Sequence, residues 1–119
     1  MLVIPAIDLK EGKCVRLREG LMDQETIFSD DPVSVAKSWF AQGTELLHMV
    51  DLDGAVQGKP VNHEIIFEVA AEFSQKRVQV GGGIRNFESA ANYLEKGIER
   101  VIMGTAAVER PDILKDFCK

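Results

Sequence analysis

Val78-Gln79-Val80-Gly81-Gly82-Gly83-Ile84-Arg85-Asn86 decides the fold. A short apolar run halted by three glycines reads as a strand ending in a turn. Asn86 then caps a helical pattern through Ala90, Ala91 and Leu94, which stops at Gly97. Another apolar run, Val101–Met103, follows. One strand feeds a helix, and the helix feeds the next strand.

The same alternation extends outward. Upstream lie the apolar runs Leu2–Ile7 and Leu46–Val50. Asp31-Pro32 opens a helix whose apolar stripe is Val33, Val35, Ala36, Trp39 and Phe40, with Gly43 as its stop. Asn62 can cap another, with Ile65, Ile66, Val69, Ala70 and Phe73 on one face. Downstream, Pro111 opens a fourth, with Ile113, Leu114 and Phe117 apolar. The order βαβαβαβα implies right-handed crossovers and a parallel sheet, and apolar strands imply cover on both faces. Gly43–Met49 resembles Gly97–Met103, a weak repeat two βα units apart. No linker interrupts the chain, so residues 1–119 read as a single α/β domain. The first connection, Asp8 to Asp31, is long and contains the alternating Lys13–Leu17, a small extra strand; such a loop is expected to serve the active site.

The composition is that of a globular protein, with 45% hydrophobic and 28% charged residues. A net charge of -5 argues against nucleic acid as the main partner. Two cysteines, Cys14 and Cys118, make neither a disulfide framework nor a thiolate zinc site, and no metal is expected. The opening apolar run lacks a basic leader and no stretch approaches a membrane span, so the expected setting is cytoplasmic, without membrane partners.

Ligands gather at the carboxyl ends of parallel strands. There the sequence puts Asp8, then Asp51 and Asp53, then Gly81-Gly82-Gly83, then Gly104-Thr105. The glycines alone fit either a plain tight turn or a phosphate cradle; two adjacent strand ends converging on one anion favour the cradle. Asp8 is a candidate general acid or base. Of Asp51 and Asp53, one is expected to face the site and the other to cap or pair with a loop. His48, inside an apolar strand, reads by itself as a buried, hydrogen-bonded histidine, and His63 as a solvated one. Arg16 and Arg85 can each bind a phosphate or carboxylate, Arg85 being better placed after the glycines.

Ile4-Pro5-Ala6-Ile7-Asp8-Leu9 with Val15-Arg16-Leu17, Leu47–Ala55, Val80–Arg85 and Gly104–Val108 together resemble the histidine-biosynthesis isomerases that act on phosphoribosylformimino-aminoimidazole-carboxamide ribotide. The resemblance covers essentially the whole chain. It implies an Amadori rearrangement of a bisphosphorylated aminosugar, aldose to ketose, with no metal or organic cofactor. It carries the general base onto Asp8, substrate contacts onto Arg16 and His48, and a phosphate site onto Gly81, Gly82, Gly104 and Thr105. Arg85 joins the substrate-binding set. The cyclase subunit of imidazole glycerol phosphate synthase is a sister barrel, but its first strand reads Cys-Leu-Asp where this chain has Ala6-Ile7-Asp8.

The family fold is a TIM-type (βα)8 barrel, about 250 residues in eight units. This sequence supplies four units, a (βα)4 half-barrel matching the N-terminal half. The resemblance assigns a general-acid aspartate and a second phosphate site to the other half. Strands one and four are then expected to be open edges, and the inner face uncovered. A homodimer of half-barrels, or pairing with a C-terminal half, would close the barrel. A non-catalytic, phosphate-binding or self-assembling half-barrel is the competing expectation.

Overall fold

The computed structural model describes residues 4–18, 21–103 and 106–109, and of 16–18, 21–28 and 106–109 the backbone alone. In chain order the elements are β1 (Ala6–Lys10), β2 (Lys13–Arg18), β3 (Leu21–Ser29), α1 (Pro32–Ala41), β4 (Leu46–Asp51), α2 (Leu52–Gln57), α3 (His63–Glu72), β5 (Arg77–Gly81), α4 (Phe87–Glu95), β6 (Arg100–Met103) and β7 (Ala106–Glu109). They form one sheet in the order β3-β2-β1-β4-β5-β6-β7. Its centre, β1-β4-β5-β6, is parallel. This is the α/β arrangement of half a βα barrel.

The helix starts follow the expected chemistry. The Asp31 carboxylate accepts from Ser34 N at 3.2 Å, and Pro32 occupies the first turn of α1. The Asn86 side chain accepts from Ser89 N at 2.8 Å and opens α4. Asn62 precedes α3 but makes no side-chain cap bond. Its amide is committed elsewhere. The helix predicted from Pro111 lies outside the described residues.

Strand alternation divides the molecule. Ile7, Leu9, Leu47, Met49, Val78, Val80 and Val101 point to the outer face and pack against Ala36, Phe40, Ile66, Val69, Ala90 and Leu94 of the helices. Phe40 and Phe73 meet between α1 and the end of α3, their rings 5.0 Å apart. The other parity, Asp8, His48, Val50, Gln79, Arg100 and Ile102, is only half-buried. The strands are therefore not apolar on both faces. The helices cover the outer face alone, so the inner face keeps polar groups that still meet solvent.

The first strand is also displaced from its expected span, and Asp8 lies inside it. Antiparallel pairing of Asp8 with Val15, Leu9 with Cys14 and Lys10 with Lys13 carries β1 on to Lys10. The tight turn at Glu11-Gly12 has φ of 51° and 76°, the positive pair that suits the twist of a two-residue hairpin. The predicted extra strand appears as β2, and β3 pairs with it. β7 pairs antiparallel with β6. The expectation of open edges at strands one and four thus fails: β2 occupies the edge of β1 and β7 that of β6, each satisfying backbone groups that an edge would expose.

Leu47 is fully buried at the centre of this core, whereas Val56 is 68% exposed. Leu47→Ala is expected to destabilise the fold by about 2–5 kcal/mol. Val56→Ala should stay within about 0.5 kcal/mol. Urea unfolding compares the two.

Candidate active site

Parallel register lines up side chains on the inner face in two rows. Ala6, His48, Gln79 and Arg100 are neighbours in one, and Asp8, Val50, Gly81 and Ile102 in the next row towards the carboxyl end. Asp8 is thus the diagonal neighbour of His48 across β1 and β4. Arg100 Nη1 donates to Gln79 Oε1 at 3.0 Å, and Gln79 Nε2 lies 2.9 Å from His48 Nδ1. Burial pushes the Asp8 carboxyl above its ordinary range, while a charged His48 would pull it down. Burial lowers His48, against the Asp8 carboxylate, which raises it. With His48 neutral near pH 7 its pull on Asp8 is absent there, and the upward push of burial stands.

A second cluster lies where β4 ends. The fully buried Asp51 carboxylate accepts from Gly54 N at 2.8 Å, Val61 N at 2.7 Å, Asn62 N at 2.9 Å and Asn62 Nδ2 at 2.8 Å. Asp53 Oδ2 accepts from Asn62 Nδ2 at 2.9 Å and from Glu11 N at 2.6 Å. Asn62 Oδ1 completes the set by accepting from Gly12 N at 3.0 Å. The expectation that one of the two aspartates faces the site is not met. Asp51 caps α2 and Asp53 sits in its first turn, so both hold loops. Beneath this cluster the Tyr93 hydroxyl is buried with no hydrogen-bond partner among the described residues. Burial, then the Asp51 charge, pushes it well above its ordinary pKa.

The glycine run is shaped by the same cluster. Gly82 and Gly83 have φ of 102° and 80°, which only glycine adopts freely. A Cβ on Gly82 would stand 2.2 Å from the Asp51 carbonyl oxygen, and one on Gly83 2.7 Å from those of Gly54 and Lys59. Close backbone packing therefore requires these glycines before any ligand does. Gly82, Gly83, Ile84 and Arg85 nonetheless line an open cleft of about 590 Å³ whose other wall is Ile102 and Met103. Gly81 lies outside it, under the His48 ring: a Cβ there would be 3.6 Å from His48 Cε1. The exposed Arg85 guanidinium lies against Gly58 beside the cleft.

Arg16 pairs with Thr26 through the β2–β3 backbone, and its side chain lies outside the described residues, as do Gly104 and Thr105. Cys14 is buried, and burial, then Asp31, raises its thiol to about 11, so it is inert. His63 is half-buried rather than solvated, its ring 5.7 Å from that of Phe67. Among the described residues no three His, Cys, Asp or Glu side chains group as metal ligands, and no helix is long and apolar enough to cross a membrane. Sequence reasoning missed Gln79, Arg100 and the bridging role of Asn62. The alternation Arg77-Val78-Gln79-Val80 was the available signal, since it turns polar residues inward.

Two outcomes are expected. Asp51→Ala strands three backbone N–H groups and an amide, and should cost about 3 kcal/mol or more in urea unfolding. Asp8→Asn should have the opposite sign. A carboxyl whose folded pKa is raised favours folding only while protonated, and that advantage is lost as pH rises through the folded value. At pH 7 the Asn variant should unfold at higher urea, the gap closing below about pH 4, the range of an ordinary aspartate.

The sequence matches the family described as "Histidine biosynthesis protein" over residues 2–119. It is 56% identical over 119 residues to a protein of Alkalilimnicola ehrlichii named 1-(5-phosphoribosyl)-5-((5-phosphoribosylamino)methylideneamino) imidazole-4-carboxamide isomerase, covering 100% of this chain and 48% of that protein. Isomerases of the same name from Cellvibrio japonicus (52% identical over 119 residues, 100% of this chain and 49% of that protein) and Thioalkalivibrio sulfidiphilus (56% over 118 residues, 99% and 49%) match likewise. The chain spans about half the length of the curated relatives it matches. A match over nearly every residue shows that this chain belongs to the histidine biosynthesis protein family.

Proposed function

We propose that this chain supplies the N-terminal half of the site of an isomerase that converts a bisphosphorylated aminoaldose to an aminoketose. The observation that carries the reading is the diagonal placement of Asp8 beside His48 on the open inner face of a parallel sheet, next to the glycine-lined cleft. Ligands of such sheets bind at this end. The substrate class follows from the name shared by the relatives.

In the ring-opened sugar the anomeric carbon is a protonated imine. Asp8 takes the proton from the adjacent carbon; the C–H electron pair forms the carbon–carbon double bond, and the imine π pair returns to nitrogen. The resulting enaminol becomes the ketose when its hydroxyl loses a proton and the former imine carbon gains one. A carboxylate raised by burial is a stronger base than one in water, which suits Asp8 to the first transfer. His48 contacts the sugar. Gly81, Gly82, Gly104 and Thr105 hold one phosphate, with Arg85 and Arg16 as cationic contacts.

The partner in this reading is a second half-barrel, a C-terminal half or a second copy, bringing the acid and the other phosphate site. β2 and β7 sit on the edges that such a partner must join, so closure displaces them. The isolated chain is accordingly expected to show no turnover. Mixing it with the C-terminal half of the Alkalilimnicola isomerase should restore activity in a sedimenting complex, and Asp8→Asn in this chain should lower it by about 10²–10⁴-fold. A complex that forms yet stays inactive, or that tolerates Asp8→Asn, overturns the reading.

A further inference from the structure

We propose that Arg100 and Gln79 are positioning residues that lock His48 into one protonation form, the neutral imidazole with its proton on Nε2. His48 is then a hydrogen-bond donor to a sugar oxygen of the substrate, and proton abstraction is left to Asp8. The catalytic part of this inference rests on the isomerase reading above; the lock itself does not.

The argument is one of donors and acceptors. A guanidinium only donates and is charged at every accessible pH. Arg100 Nη1 lies 3.0 Å from the Gln79 amide, so the amide oxygen must face it. The amide nitrogen is thereby turned to His48 Nδ1, 2.9 Å away, and it too only donates. His48 Nδ1 must accept, and the one proton of a neutral ring sits on Nε2. Reversing the amide would set its NH2 against the guanidinium, donor against donor. Charging His48 would put an N–H on Nδ1, facing the same amide N–H. The relay therefore opposes both the other tautomer and the imidazolium.

The surroundings of the ring weigh less than this chain of donors. From β1, Asp8 favours the charged ring, and Lys10 shares its face further along the strand. From β5, Gln79 is neutral and Arg77 precedes it on the same parity. From β6, Arg100 acts through Gln79. Burial of the ring adds to the lock. The free edge of the ring lies over Gly81, with a Cβ there 3.9 Å from Nε2. Nε2–H is thus presented at the residue where the glycine run begins, on the face that carries Asp8.

The test is the imidazole nitrogen spectrum of the ¹⁵N-labelled chain, assigned by comparison with His63→Gln, since the sequence has two histidines. Near pH 7 the expected pattern is an unprotonated Nδ1 and a protonated Nε2. Gln79→Glu replaces the donor with an acceptor; it should move the proton to Nδ1 and raise the His48 midpoint by about one pH unit or more. Arg100→Met frees the amide and should give a mixture of tautomers, while Arg100→Lys, which keeps a donor, should restore the Nε2–H form. A wild-type ring protonated on Nδ1, or a Gln79→Glu spectrum identical to wild type, overturns the lock. The expected spectra in a chain that gains no turnover on complementation would support the lock and overturn only the isomerase reading.

Discussion

Four N–H groups converge on the buried Asp51 carboxylate, and the carboxyl end of the sheet is built around that convergence. A carboxylate is acceptor-only and has capacity for about four such bonds, which an amide in its place would lack. Through Gly54 it starts α2; through Val61 and Asn62 it fixes the turn before α3. Asn62 passes the constraint on, because its amide also meets Asp53 and its oxygen takes Gly12 N. Asp53 in turn holds Glu11 N. The turn after β1 is thereby tied to the end of β4, and the two strands carrying Asp8 and His48 are fastened at the end where a ligand would bind.

Asp51 and Asp8 contrast in how far their own chain satisfies them. Asp51 is saturated by donors from its own chain and has no accessible oxygen left for a substrate. Asp8 stands on the half-open inner face, raised by burial, with His48 as its neighbour. Its carboxyl is only half-buried, and its protonation responds to what lies over it. The Gly82 and Gly83 backbones press against the structural aspartate's strand and turn, so the cleft beside Arg85 inherits its shape from the same packing.

Local chemistry made part of this legible from the sequence. Asp31-Pro32 and Asn86 announce α1 and α4, because a cap is a contact between near neighbours. The apolar runs announce the parallel strands. α2 was not legible: at six residues it is too short for periodicity to speak, and its cap, Asp51, reads equally well as a strand-end site residue. Asn62 reads as an N-cap for the same local reason, but Asp51 and Asp53, distant from a cap's reach, claim its side chain. Gln79 and Arg100 escaped notice because neither carries chemistry alone. They acquire it from register, which sets residues 48, 79 and 100 side by side, and register is a property of the sheet rather than of any one strand.

Register also bears on how the inner face can be covered. Polar groups buried without partners are costly, and a partly satisfied network costs more than an apolar layer. The row from His48 through Gln79 to Arg100 is bonded within itself while the face is still half-open. A second layer closing over it would meet an amide, that of Gln79, whose oxygen and nitrogen are both already engaged. The row that orients His48 is therefore also what lets the Gln79 amide sit on the inside of a sheet whose other face is hydrocarbon. Orientation of His48 and satisfaction of the Gln79 amide follow from the same two hydrogen bonds.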